Sequence, residues 1–140
     1  MSAKYYQVEG PLGDYYQATG FSHAVVLPAN SQLVIAAGQP GLGAQAQISA
    51  SPEEQIEACF DNCDKALKAA GVKEGLWKAH KVHAWLLDVS QEPLMMEIWR
   101  RKWPAHRPTW MCIGTNALCG PGMIIELQVE AHIAPGQTLL

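Results

Sequence analysis

Charge is scarce in this chain. Asp, Glu, Lys and Arg make up 16 % of its 140 residues, where a globular domain carries about 25 %. The formal net charge is −3, and the basic residues gather only at Arg100-Arg101-Lys102. Non-specific binding to nucleic acid needs a concentrated positive footprint, so no nucleic-acid partner is expected. Long apolar runs are also missing. No stretch reaches the roughly 18 apolar residues of a transmembrane helix, so no membrane partner is expected either. The opening MSAKYYQVEG lacks the apolar core of a signal peptide. There is no P-loop, dinucleotide fingerprint or nucleophile elbow. The cysteines Cys59, Cys63, Cys112 and Cys119 form no CxxC pair and suit reduced thiols in a cytoplasmic protein. No histidine or cysteine pair has a convincing ligand spacing, so neither a metal nor another cofactor is expected.

Apolar side chains, by contrast, make up 49 % of the chain. The length suits one domain spanning residues 1–140. With so few charges, part of the apolar excess is expected to be buried between subunits.

The local signals give an element order. Tyr5 to Val8 reads as a short strand, broken by Gly10-Pro11-Leu12-Gly13-Asp14. His23 to Leu27 and Gln32 to Ala37 flank a short polar turn and predict a hairpin. Ser51 as N-cap, Pro52 at the first helical position and Glu54 three residues on predict a helix start. Ile56, Cys59, Phe60, Cys63, Leu67 and Ala70 give it one buried stripe, and Gly71 ends it. Lys78 to Leu87 alternates as a strand, and Pro93 to Lys102 reads as a second helix closed by Pro104. Thr109 to Thr115 and Met123 to His132 then predict a terminal hairpin across a Gly/Pro turn. The expected fold class is α+β, two-layer, with a mixed, mostly antiparallel sheet carrying two helices on one face.

The last strand holds the sharpest functional candidate. Glu126, Gln128 and Glu130 share one parity, and Ile125, Leu127 and Val129 the other. A carboxylate in so apolar a run is solvated, paired or useful. A carboxylate lining a cleft and desolvated by Tyr15 and Trp110 could act as a general acid/base.

Several segments together resemble the YjgF/YER057c/UK114 or Rid (reactive intermediate deaminase) superfamily, over almost the whole chain. They are Gly10 to Ala18 with Tyr15-Tyr16-Gln17-Ala18, then Ala37-Gly38-Gln39. Glu54-Gln55 through Asn62, Leu67 and Ala70-Gly71 follow, then Arg107-Pro108, Gly114, Leu118 and Ile125-Glu126-Leu127. The resemblance implies a chorismate-mutase-like fold, a homotrimer and a small-molecule site between subunits. It also implies hydrolysis of imines or enamines to keto acids and ammonia. By the same resemblance Glu126 is the catalytic carboxylate, Tyr15 the cleft tyrosine, and Gly38 the backbone glycine. Ala37 stands where serine is usual, and Trp110 stands where the substrate-carboxylate arginine is usual. Met96 and Trp99 replace an asparagine and a tyrosine.

That pattern resembles fungal and other non-archetypal members, some of them tied to natural-product genes. Trp110, Met96 and Trp99 would then wall a site for a neutral hydrophobic intermediate, converted by isomerisation, cyclisation, dehydration or hydrolysis. Glu126 would act with Tyr15, His106 or Tyr16, and backbone N–H groups near Gly38 or Cys112 would hold an oxyanion. Two other readings stay open: an imine/enamine deaminase in which Arg107 replaces the displaced clamp, and a binding protein without chemistry.

Overall fold

The computed structural model describes residues 2–136. The chain runs β1 (Lys4–Tyr6), α1 (Pro11–Thr19), β2 (Ala24–Val26), β3 (Gln32–Ile35), β4 (Gln39–Pro40) and α2 (Pro52–Ala69). It continues with β5 (Ala79–Leu86), α3 (Glu92–Lys102), β6 (Thr109–Gly114) and β7 (Ile125–Ile133). The main sheet has the order β3-β7-β5-β6, with β4 also pairing β7. Its pairs are antiparallel except β5 with β6. Parallel neighbours need a crossover, and α3 supplies it.

The second helix forms as its sequence dictates. The Ser51 side chain accepts a hydrogen bond from the Glu54 backbone N–H, Pro52 opens the helix, and Gly71 follows its end at φ 97°. Its stripe of Ile56, Cys59, Phe60, Cys63 and Leu67 is buried against Val82, Ala84 and Leu86 of β5 and Leu127 and Val129 of β7. The third helix adds Met95, Met96, Ile98 and Trp99 to the same core.

Three expectations are corrected. The fold is α+β with a mixed, mostly antiparallel sheet, but it has three α-helices rather than two, and the chorismate-mutase-like, two-helix plan is set aside. The extra helix is α1, in a segment whose glycines and proline read as a break. Pro11 sits in its first turn, where a missing N–H costs nothing. Gly13 is buried because the chain folds back on itself: a Cβ there would lie 1.8 Å from the carbonyl oxygen of Val8. The first predicted hairpin also fails, since β2 pairs with β1 (Tyr5 opposite Val25) and β3 pairs with β7. Nor do β6 and β7 pair with each other; β5 lies between them.

At the N-terminal end of β5 the register shifts between Ala79 and Lys81. This bulge turns His80 inward, where His80 and His132 are 5 % and 3 % exposed. Their Nδ1 atoms lie 3.1 Å apart. One neutral ring therefore donates to the other, and a second proton on the pair would set two donors face to face. Elsewhere, Gln55 is buried under the turn that leads into β7. Its Nε2 donates to the carbonyls of Ser49 and Gly122, both at 3.1 Å, and its Oε1 accepts from Ile124 N at 2.6 Å. This amide fixes where β7 begins.

Two stability predictions follow from these contacts. In the Gly13→Ala variant the new methyl meets backbone rather than a pliable side chain, so a loss of about 1–3 kcal/mol in urea unfolding is expected. The second concerns acid. Burial, reinforced by His80, Lys78 and His106, lowers the pKa of His132 from 6.5 to about 4. The unfolded chain then binds more protons than the folded one between those values. Stability is full above pH 6.5 and is lost as pH falls toward 4. A His132→Gln variant should show a shallower fall in urea midpoint over that window; an unchanged slope would clear the histidine pair of the effect.

Candidate functional site

Glu126 stands at the middle of the sheet. On β7 it lies opposite Trp85 of β5 on one side and Pro40 of β4 on the other. Successive side chains along a strand point to opposite faces. Ile125, Leu127 and Val129 go into the helix-covered core, while Glu126, Gln128 and Glu130 are on the open face. The last two are occupied. Gln128 Nε2 donates to the Ala36 carbonyl at 3.1 Å. Glu130 lies 3.7 Å from His80 Nε2 and 3.9 Å from Lys81 Nζ. The Glu126 carboxylate receives no hydrogen bond from any described residue.

Gly38 explains where that carboxylate rests. A Cβ at position 38 would be 2.9 Å from Glu126 Oε2 and 3.2 Å from its Cδ, so the glutamate leans on a bare backbone. In front of it opens a groove of about 380 Å³ lined by Trp85, Thr115, Ala117, Leu118, Cys119 and Glu126. The sequence reading assigns neither Trp85 nor the Thr115–Cys119 segment to the site. A signal was present: Trp85 shares the parity of Lys81 and His83, the outward one.

The remaining sequence candidates gather elsewhere. Trp110 and Cys112 lie on β6 opposite Val82 and Ala84 and pack against the helix-side core. Trp110 stacks on Phe21 at 5.7 Å and meets Trp99 edge-on at 5.1 Å. Its Nε1 is buried without a partner. Met96 and Trp99 are 1 % and 0 % exposed. The Cys112 thiol is pushed up to about 12 by burial and by Glu92, which makes it a poor nucleophile. Tyr16 stacks face to face on His23 at 3.9 Å, while Tyr15 projects from α1 at 62 % exposure. The His106 ring is pinned by a 2.7 Å contact from Nε2 to the Ala79 carbonyl. Burial lowers its pKa, with Arg107 and Lys78 adding to the fall.

Arg107 is committed too. Its Nε donates to Gln17 O at 2.8 Å and its Nη1 to His106 O at 3.3 Å, tying the start of β6 to α1. Thr109 pairs with Lys81, whereas Glu126 pairs with Trp85. At about 3.3 Å per residue, Arg107 and Glu126 are therefore roughly 20 Å apart along the sheet. Within one chain the candidates thus form two groups. Glu126 and Gly38 are together on the open face, with Ala37 beside Gly38 in the chain. Trp110, Trp99, Met96, Cys112, His106 and Arg107 lie at the helix-side core or, for Arg107, against α1. Among the described residues no group of three or more His, Cys, Asp or Glu side chains is arranged to hold a metal ion, and no helix is long and apolar enough to cross a membrane.

The placement of Trp110 gives a measurable expectation. Trp110→Ala removes a stacked ring from the contact between the flap and the core, so it should cost about 2–4 kcal/mol in urea unfolding. A loss below about 0.5 kcal/mol would mean that the ring is not held there.

Comparison with known proteins agrees with this architecture. The family profile described as Endoribonuclease L-PSP matches residues 14–133. Comparison with curated proteins returns no match. Among solved structures, the Rid-family protein YyfB from Yersinia pestis superposes with a TM-score of 0.80 at 20 % identity, covering 95 % of this chain and 100 % of that one. A Mycobacterium tuberculosis member of the YjgF/YER057c/UK114 family gives 0.62 at 20 % identity over 94 % and 100 % of the two chains. Escherichia coli TdcF, solved with bound serine, gives 0.66 at 16 % identity over 93 % and 94 %. At such identities these likenesses speak for the fold alone.

Proposed function

Because the chain belongs to the endoribonuclease L-PSP family, the YjgF/YER057c/UK114 or Rid superfamily, we propose that it is a small-molecule enzyme that hydrolyses a reactive imine or enamine. The observation that carries this reading is the Glu126 carboxylate, unpartnered among the described residues and lodged against Gly38 at a groove of about 380 Å³. A carboxylate so placed holds a water by accepting its hydrogen bond. It takes that water's proton as the oxygen adds to the C=N carbon. The same proton then serves the nitrogen, which leaves as ammonia while the carbonyl forms. The reaction needs no redox partner.

Isomerisation or cyclisation of a neutral hydrophobic intermediate has less support. It relied on Trp110, Met96 and Trp99 as the wall facing Glu126, and those rings and thioether pack on the other side of the sheet. Trp110 in place of the usual arginine still sets the chain apart from the archetypal pattern. Arg107 is a weak substitute within one chain, being held by two backbone carbonyls; across a subunit boundary it would be the natural clamp to test.

The homotrimer is part of the proposal. The open sheet face leaves Leu33 52 %, Ile35 63 %, Met111 52 % and Ile113 38 % exposed, more apolar surface than a monomer readily leaves in water. The free thiols of Cys59, Cys63, Cys112 and Cys119 suit a reducing cytoplasm.

The test is direct. An imine is generated in solution, and carbonyl product and ammonia are followed with and without the protein. Acceleration that falls about 100-fold or more in Glu126→Gln, with thermal unfolding unchanged, is the expected result. Gly38→Ala should also lower the rate, since its methyl displaces the carboxylate and misplacement of about 1 Å is costly. A rate that survives Glu126→Gln but disappears in Arg107→Ala would move the site to the α1 flap. Light scattering that gives the mass of a single 15.3 kDa chain would remove the inter-subunit setting.

A further inference from the structure

Resting on the hydrolytic reading above, we infer that the groove takes a cationic, carboxylate-free iminium whose planar substituent lies on the indole of Trp85. The lining is Trp85, Thr115, Ala117, Leu118, Cys119 and Glu126. Among the described residues that line it, Glu126 is the one carboxylate and none is a lysine, arginine or histidine. Of the other outward residues of β5, Lys81 lies 3.9 Å from Glu130 and stands four residues along the strand, roughly 13 Å away, and His83 stands between it and Trp85 outside the groove lining.

That charge pattern selects. Within one chain, a substrate carboxylate placed in the groove would meet the negative charge of Glu126 without the bidentate fork that an arginine provides. A protonated imine meets the opposite situation. Its positive nitrogen is drawn to Glu126, and it lies beside an aromatic face that also attracts cations. Trp85 and Glu126 are directly opposed across β5 and β7, which puts their Cβ atoms about 5 Å apart on one face. The indole is 40 % exposed, so it is open to a stacking ring. A groove of about 380 Å³ is the size of a small-ligand site.

The chemistry balances as R–CH=NH₂⁺ + H₂O giving R–CHO + NH₄⁺. One water adds across C=N, the C–N bond breaks, and no oxidant or reductant is used. An iminium without an α-carboxylate arises when an amine, rather than an amino acid, is oxidised at its C–N bond. The reaction that supplies this site is thus an amine oxidation, and its product is an aldehyde or ketone.

Two isosteric probes separate the charges: benzamidine, a planar cation that stands in for the iminium, and benzoate, its anionic counterpart. Calorimetric titration of the full chain should show benzamidine binding roughly tenfold tighter than benzoate or better. The preference should vanish in Glu126→Gln. Benzamidine binding should weaken about fivefold in Trp85→Ala and be kept in Trp85→Phe. Equal or tighter binding of benzoate overturns the inference, as does benzamidine binding that neither substitution changes.

A rate comparison distinguishes this inference from the hydrolytic reading. Faster hydrolysis of a carboxylated imine than of a benzaldehyde-derived iminium overturns the ligand class and leaves the reaction. Hydrolysis of neither, with the benzamidine preference intact, supports the ligand class and removes the reaction.

Discussion

Everything in this molecule depends on the register of β7. The strand is bordered by β3 and β4 on one side and β5 on the other, so its pairing is fixed from both edges. A slip of one residue would exchange the two faces of the strand. Leu127 would move from the core to the open sheet, and Glu126 would be driven under α2. Burying an unpaired carboxylate there costs several kcal/mol, so the alternation that holds the core also holds the glutamate outside it. The Gln55 amide strengthens the choice by gripping the backbone at Gly122 and Ile124 just before the strand begins. A buried side chain on a helix thus sets the position of a candidate catalyst on the opposite face of the sheet.

Much of this was legible in the sequence because it is local. The cap at Ser51, the stripe along α2 and the stop at Gly71 are each written within a few residues, and the structure follows them except at Ala70, which is exposed just past the helix. The parity of β7 was equally plain. Strand pairing was not, because alternation tells which way side chains point and says nothing about which strand lies alongside. The short turn after Leu27 looked like a hairpin, yet β2 joins β1 and β3 joins β7. The same limit concealed β5 between β6 and β7. The α1 helix was hidden for another reason. Gly10, Pro11 and Gly13 break structure in most settings, and only the close passage of Val8 makes a residue without a Cβ necessary at position 13.

Of the candidate residues, some neighbours were legible and others were not. Glu126 and Gly38 were named and do lie together. Trp110, Met96 and Trp99 were assigned to the same cleft on the strength of aligned positions. In this chain they pack on the helix side, where Trp99 and Trp110 meet edge-on and Trp99 Nε1 donates to the His106 carbonyl at 3.0 Å. A large indole does not take the orientation that a charged side chain would. An arginine seeks water and anions, whereas an indole is stabilised by the nearest apolar surface. Phe21, held on the flap between α1 and β2, offers that surface to Trp110.

Moving the aromatic wall away from Glu126 changes what the site asks of its ligand. The ring that does lie beside the carboxylate is Trp85, and it comes from the strand pair itself rather than from a loop. Cross-strand neighbours in the middle of a sheet are among the most rigid placements a fold offers, so the distance between indole and carboxylate is set by backbone pairing. The other wall is Thr115–Cys119, which connects β6 toward the Gly120–Gly122 turn. The strand pair therefore supplies negative charge and a π face, and a short polar and apolar segment completes the groove. A cation bearing a flat substituent satisfies both fixed parts at once. An anion satisfies neither, and its repulsion by Glu126 is strongest where the open face is covered and water is excluded. Covering the exposed Leu33, Ile35, Met111 and Ile113 surface would thus sharpen the discrimination that Glu126 and Trp85 begin.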